Sequence, residues 1–204
     1  MGAHLAEYET YRQHLTKLQQ AAVDWGMNHK HEFLRAAKKF GMLGAKDTLV
    51  FDDESELSIL MDGFIYETVI GQQTITSAFL NQYSIQNSID RQSADAMRHA
   101  RFGLFRIETI TSSRAEIQLK ALVPGISDAT LTNVALSKTG HAGLIIACRV
   151  LRLPELSTTS GVIFPFKPVR EQRIVREWQK QQGLQRYAHI FRLSRNEPIT
   201  TLFR

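Results

Sequence analysis

At Phe105-Arg-Ile-Glu-Thr-Ile110 the spacing of apolar residues changes from that of helices to that of strands. Side chains alternate between two faces in this stretch and again in Glu116-Ile-Gln-Leu-Lys-Ala121. A strand has this period of two because successive side chains point to opposite sides. Further strands are predicted around 130–137, 144–153 and 157–164. Short strands joined by tight turns such as Pro124-Gly125 predict a small antiparallel β-sheet or barrel over residues 102–166.

Upstream of this point the apolar residues follow the helical period. Gly26 ends the first predicted helix, Asn28 is a candidate cap for the second, and Asp53 with Glu56 forms a capping-box-like start for a third. Residues 1–101 therefore predict a bundle of four or five helices. The first helix carries one apolar stripe, which consists of Leu5, Tyr8, Leu15, Leu18, Ala22 and Trp25.

The C-terminal segment, 167–204, predicts one more helix that runs to about Gln182 and stops at Gly183. Its apolar residues fall on one arc and its basic residues on the opposite arc. The stretch 187–193 is predicted to be an extra strand or a partner-binding extension. The chain as a whole is thus predicted to be an α+β protein with three units. The two arcs are formed by Ile174, Val175 and Trp178 and by Arg173, Arg176 and Lys180.

Charge is divided unevenly along the chain, whose formal net charge is +5. Residues 1–166 hold 16 Lys and Arg against 17 Asp and Glu, whereas 167–204 hold nine against three. From Asp47 to Glu67 there are seven carboxylates and no Lys or Arg. Such segregation steers a polyanion to the basic end, docks the basic tail on the acidic stretch within a dimer, or reflects two ordinary solvated faces.

Composition bounds the class of protein. A chain of 204 residues with 43% hydrophobic and 22% charged residues buries a real core, unlike a disordered chain. There is no apolar run of membrane-spanning length, and the N-terminus has no signal-peptide pattern. The single cysteine, Cys148, excludes an intrachain disulfide or a multi-thiolate metal site. These features predict a cytoplasmic protein that is not associated with a membrane.

A family resemblance covers about 57–166. It is carried by an ordered set of apolar and turn positions: Leu60-Met-Asp-Gly-Phe64, Gly71–Ile75, Phe79-Leu-Asn-Gln-Tyr83, Ala100–Phe105 and Pro124-Gly125. This pattern is similar to a region of uncharacterised bacterial proteins that often carry a SEC-C metal-binding motif elsewhere. The SEC-C cysteines are missing here, so the resemblance implies no zinc role. It implies a helical unit joined to a small β unit, and no established activity.

A search for catalytic chemistry leaves few candidates. The chain has no phosphate-binding loop, no nucleophile elbow and no His-Glu-x-x-His motif. His29 and His31 point about 200° apart on a helix, so they do not share an ion there. We therefore predict no catalytic residue, no metal site and no cofactor. The remaining enzyme hypothesis is a metal-dependent nuclease with Glu116, Gln118 and Lys120 on one strand face and Asp62 or Asp95 as a further carboxylate.

The basic C-terminal segment supplies the predicted binding residues. Arginines interleaved with aromatic side chains suit phosphate neutralisation and base stacking, and they also suit a protein interface. We predict a non-catalytic module that binds nucleic acid or a ribonucleoprotein, with a protein–protein adaptor or homo-oligomer as the alternative and the nuclease third. The candidate contact residues are Arg170, Arg173, Arg176, Trp178, Lys180, Arg186, Tyr187, Phe191 and Arg192.

Overall fold

The computed structural model describes residues 3–196. Helices build the first hundred residues of the chain and its C-terminal part, with one short helix between two strands of the sheet. The α+β class predicted from the sequence is confirmed. The helices are α1 (Ala3–Gly26), α2 (Lys30–Phe40), α3 (Ser55–Glu67), α4 (Ile75–Gln82), α5 (Ser88–Arg98), α6 (Val134–Thr139), α7 (Glu171–Gln179) and α8 (Gly183–Arg195).

The strands form a two-stranded ribbon and a five-stranded mixed sheet. In the larger sheet the strands pair in the order β3-β4-β5-β7-β6, and β6 also pairs with β3, so the sheet closes on itself. The β5–β7 pair is parallel, through Leu131 and Ser157, whereas the other pairs of this sheet are antiparallel. The strands are β1 (Val69–Ile70), β2 (Gln73–Thr74), β3 (Arg101–Thr111), β4 (Glu116–Ala121), β5 (Ala129–Thr132), β6 (Ile145–Arg152) and β7 (Ser157–Phe166).

Strand β6 shows how the two halves of the protein are joined. Its residues 145–151 are all buried, because one face lies inside the curved sheet and the other lies under helices. Ile146, Cys148 and Val150 belong to the inner core of the sheet. Ile145, Ala147 and Leu151 belong to a second core that they share with residues of α1 to α5, α7 and α8. A strand that is buried on both faces reads as a continuous apolar run, and β6 does so except at Arg149.

The sheet differs from the sequence prediction in two respects. It is mixed and not purely antiparallel, since β5 and β7 run in the same direction where they pair. The segment 130–137, predicted as one strand, is a strand to Thr132 followed by α6. The reason is Asn133, whose side chain accepts a hydrogen bond from the amide of Leu136 and so caps a helix.

The C-terminal prediction also needs correction. Residues 187–193 are neither a strand nor a detached extension, because they lie in α8. Gly183, which was predicted to end a helix, is the first residue of α8. Residues 180–182 interrupt the helix between α7 and α8. Residues 197–204, the end of the predicted C-terminal unit, lie outside the described residues.

The predicted caps of α3 and α2 both need correction. The N-cap of α3 is Glu54, and its side chain makes no cap hydrogen bond. Asp53 accepts from the amide of Ser55, and the carboxylate of Glu56 accepts from the amide of Asp52, so these bonds hold the turn before α3 without forming a capping box. Asn28 does not cap α2. Its side chain donates to the carbonyl of Trp25, at the end of α1.

Candidate nucleic-acid interface

Helix α7 divides into an apolar and a basic face, as the sequence predicted. Ile174 and Trp178 are buried. Arg176 and Lys180 are exposed on the opposite side of the helix, together with Arg173. The helix is therefore held by its apolar face and presents its cations to solvent.

Helix α8 lies between α7 and α2 and links their polar groups. Glu177 of α7 accepts from Lys180 at 2.6 Å and contacts His189 of α8 at 2.8 Å. One turn further along α8, Arg192 donates to the backbone carbonyl of Lys39 at the end of α2. These contacts bring basic residues that lie far apart in the sequence next to one another.

We call the resulting surface the basic belt. It consists of Arg176 and Lys180 of α7, Arg192 of α8, and Lys38 and Lys39 in the last turn of α2. Lys39 is half-buried and the other four residues are exposed. One carboxylate, Glu177, lies beside these cations. Hydrogen bonds from Lys180 and His189 lower the pKa of its carboxyl. The belt thus combines five cations with one carboxylate that is already bonded.

The three predicted aromatic contacts are not on this surface. Trp178, Tyr187 and Phe191 are buried, at 4%, 1% and 3% exposure. Their rings pack against Phe102, Phe164 and Phe40. The prediction of stacking residues needs correction here, because the spacing that places these rings between arginines also places them on the inward faces of α7 and α8.

The remaining predicted arginines have mixed environments. Arg170 and Arg186 are half-buried. Arg186 donates to the carbonyls of Trp178 and Gln181, and its guanidinium lies 4.9 Å from the centre of the Trp178 ring. Burial lowers the pKa of Arg186. This residue closes the α7–α8 turn and contributes little to an open surface.

Part of the acidic stretch singled out in the sequence is paired within the chain itself. Arg195, at the end of α8, pairs with Asp52 and Glu56 near the start of α3. Asp62 and Glu67 pair with Arg149, whose side chain is 2% exposed. The tail therefore docks on the acidic stretch inside one copy of the chain.

Arg149 is the centre of a buried polar cluster between α3, β6 and α8. Its guanidinium donates to Asp62 at 3.3 Å and to Glu67 at 2.8 Å, and lies 4.3 Å from the centre of the Tyr66 ring. Burial alone lowers the pKa of Arg149, but the two carboxylates raise it above its ordinary value. Burial, with Asp62 nearby, raises the pKa of both Tyr66 and Tyr187. One guanidinium thus meets two carboxylates in this largely buried cluster, which joins the helices to the sheet.

The residues of the nuclease hypothesis on β4 belong to the outer face of β4 and β5. Gln118 and Lys120 are exposed on it as predicted, but Asp62 lies in the buried cluster and Asp95 lies on α5 beside His99. Lys120 is bonded to Asp128 at 2.9 Å. Within residues 3–196, no three His, Cys, Asp or Glu side chains are grouped closely enough to hold a metal ion.

The isolated candidates have structural surroundings. The ring of His29 packs on Trp25 at 5.0 Å, and His31 is exposed beside Glu32. Cys148 is fully buried inside the sheet, and burial raises the pKa of its thiol to about 12. A thiol in this state is not a nucleophile near neutral pH.

Comparison with known proteins places the chain in a family. The model of a family of unknown function, DUF7986, matches residues 2–204. The chain belongs to this family. No curated protein and no solved structure matches it. The resemblance to the region found with SEC-C motifs stays a prediction.

Sequence reasoning missed the part of the DUF7986 chain that α2 contributes to the basic belt. Lys38 and Lys39 are adjacent in the sequence and followed by Gly41, which ends the helix in a left-handed conformation. The pair was a visible signal of local positive charge. What the sequence does not show is the packing of α2 on α8, which places this pair beside Arg192.

No helix in the described part of the chain is long and apolar enough to cross a membrane.

Proposed function

We propose that this protein is a non-catalytic nucleic-acid-binding module that holds the phosphate backbone along the basic belt. The observation that carries the proposal is the arrangement along α8, where His189 contacts Glu177, the partner of Lys180, and Arg192, one turn further on, bonds to Lys39. It gathers cations from three helices on adjoining surfaces. Binding of this kind releases counterions and is therefore strongly dependent on salt.

The burial of the aromatic residues defines the mode of binding. Single-strand binding proteins combine cations with exposed rings on which bases stack. In the belt the rings of Trp178, Tyr187 and Phe191 are inside the protein, which leaves phosphate contacts alone. Phosphate contacts position a protein without reading sequence. The favoured partner is accordingly a duplex or a structured RNA, alone or in a ribonucleoprotein of the cytoplasm.

The topology of the sheet supports a nucleic-acid role in general terms. A five-stranded closed sheet with the order β3-β4-β5-β7-β6 and a helix after its third strand has the strand order of OB-type barrels, which bind oligonucleotides or oligosaccharides. The same fold hosts other functions, so the site decides. Here the face of β4 and β5 carries no aromatic residue, and its Lys120 and Arg152 are bonded to the 127–128 turn. We therefore place the contact on the belt.

Binding to a fluorescein-labelled RNA hairpin and to DNA and RNA duplexes, followed by anisotropy, tests the proposal. The belt variant is Lys38→Ala/Arg176→Ala/Lys180→Ala, which removes three exposed cations. The control variant is Lys17→Ala/Arg91→Ala/Lys138→Ala, which removes three exposed cations from α1, α5 and α6. Both variants have the same net charge, so general attraction of a polyanion is matched.

We expect the belt variant to bind at least tenfold more weakly than the control, since each lost phosphate contact removes one released counterion. Equal weakening of the two variants would show that net charge, and not this surface, causes the binding. Absence of binding by the unaltered protein at low salt would contradict the proposal directly.

A further inference from the structure

A second surface, separate from the basic belt, forms a groove along α3. Three hollows adjoin one another there, with volumes of about 440, 520 and 530 Å³. The first two share Ser58, Gly161 and Val162, and the third meets them at Leu57 and Asp53. The shared lining makes the three hollows one continuous depression.

The walls of this groove are largely apolar. Helix α3 forms one wall, α1 lines one part of the other side and α6 another, and β7 forms the floor. Each of the first two hollows is in the size range of pockets that hold small ligands or single side chains of a partner. The apolar lining consists of Val23, Leu57, Ile59, Met61, Ile65, Leu136, Val162 and Ile163.

The floor of the groove is the middle of β7. This strand pairs with β6 through residues 157–159 and 163–166, on both sides of an irregularity, and its pairing with β5 is confined to Ser157. The carbonyls of Thr159 and Ser160 accept hydrogen bonds from the side chains of Arg12 and Gln19 of α1. Side chains of α1, and not a further strand, therefore cover this part of β7.

The two ends of the groove carry opposite charges. Arg12 lines the end next to α1. Asp62 also reaches this end, where it pairs with Arg149. Asp53 and Glu54 line the other end, and no Lys or Arg of the described chain pairs with either of them. These two carboxylates belong to the acidic stretch, of which Asp52, Glu56, Asp62 and Glu67 pair with Arg195 or Arg149.

We propose that this groove binds an extended peptide segment of another protein. The segment places apolar side chains in the hollows, a Lys or Arg against Asp53 and Glu54, and a carboxylate against Arg12. The opposite charges of the two ends and the apolar hollows between them select this occupant. A nucleic acid is disfavoured because it would meet the uncompensated carboxylates at one end.

Selection from a peptide pool tests this inference. The pool consists of hexapeptides Lys-X-Val-X-Leu-X with a free carboxyl terminus, where X is any residue, and the full chain is immobilised. Enriched peptides are identified by mass spectrometry and their affinity is measured by anisotropy. The blocking variant is Ser58→Trp, which fills the groove from an exposed position, and its control is Gln13→Trp on an exposed part of α1 outside the groove. A second variant, Asp53→Asn/Glu54→Gln, removes the acidic end without adding bulk.

We expect enriched peptides whose binding is at least tenfold weaker to Ser58→Trp than to Gln13→Trp. We also expect a loss of fivefold or more with Asp53→Asn/Glu54→Gln or with Glu in place of the peptide lysine. Nucleic-acid binding should stay unchanged in all these variants, so this inference and the function of the belt fail separately. Absence of enrichment, or equal binding to both Trp variants, would overturn the proposal. Direct binding of decanoate to the unaltered protein, without any enriched peptide, would show that the groove holds an organic acid, and would overturn it too.

Discussion

At the scale of single residues, Arg149 is a buried charge that connects β6 to α3. It is a charged side chain on a strand that is otherwise apolar on both faces, and it is tolerated because Asp62 and Glu67 meet it inside the protein. Removal of one partner from a buried ion pair leaves the other charges uncompensated. Removal of Arg149 alone should therefore lower the free energy of unfolding more than replacement of all three charged residues by neutral ones.

We predict that Arg149→Met destabilises the protein by about 3–5 kcal/mol in urea unfolding. The combined variant Arg149→Met/Asp62→Asn/Glu67→Gln should recover a large part of that loss, because it leaves no unpaired charge. A triple variant less stable than the single variant would show that the hydrogen bonds, and not the uncompensated charges, dominate.

Tyr66 and Tyr187 face this cluster, and their ionisation should control how the stability of the protein changes in alkali. Burial raises the pKa of both hydroxyls in the folded protein above the unfolded value of about 10. A group whose folded pKa is raised stabilises the protein below the unfolded pKa, and this contribution is lost as pH rises toward the folded pKa. We expect tyrosinate absorbance from these two residues to appear together with alkaline unfolding, above pH 10. Reversible ionisation of all five tyrosines in the folded state would contradict this.

Cys148 gives a simpler residue-scale test. Its thiol has a pKa of about 12 in the folded protein, so the thiolate fraction at pH 8 is negligible. We predict that a disulfide reagent such as Ellman's reagent labels Cys148 at pH 8 only as fast as the protein unfolds. Rapid labelling under native conditions would mean that the strand β6 opens, or that the thiol is not where the structure places it.

At the scale of elements, α3 packs closely against α2 and α8 through Gly63. A Cβ atom added there would lie 2.5 Å from Cζ of Phe40 and 3.1 Å from Cδ1 of Tyr187. Overpacking of this kind costs about 1–3 kcal/mol. We predict that Gly63→Ala destabilises the protein by that amount in thermal or urea unfolding, although alanine favours a helix. Ser58→Ala, on an exposed position of the same helix, should be neutral or slightly stabilising, and an equal loss in both would contradict the account.

The elements also show how much the sequence predicts. The two faces of α7 and the alternation of β4 follow from periodicity, because each element is held by one apolar face. The alternation predicted for β3 is wrong in part, since Leu104 and Phe105 lie in different cores and the register shifts after Ile107. Helix α6 was not predicted, since its apolar residues continue the pattern of β5 and a single capping residue, Asn133, changes the structure. Helix α8 was not predicted because Gly183 was taken as an end, whereas its residues Tyr187 and Phe191 pack into the core and continue the chain as a helix.

At the scale of the whole molecule, the basic belt depends on tertiary packing. Arg176 and Lys180 were predicted from the charge of the C-terminal segment, but Lys38 and Lys39 belong to a part of the chain with no net positive charge. They join the belt because α8 packs on α2, through contacts such as that of Phe40 with Phe191. The same packing withdraws the aromatic residues from the surface, which changes the expected partner from a stacked single strand to a phosphate backbone.

The salt dependence of binding tests whether the basic belt holds the phosphate backbone of a nucleic acid. A protein that neutralises about five phosphates of a duplex loses affinity with a slope of about −4 to −5 in log K against log salt concentration. We predict this slope for the unaltered protein with a duplex probe between 50 and 200 mM salt, and a slope shallower by about three for Lys38→Ala/Arg176→Ala/Lys180→Ala. A slope near zero, or one that the belt variant leaves unchanged, would contradict the account.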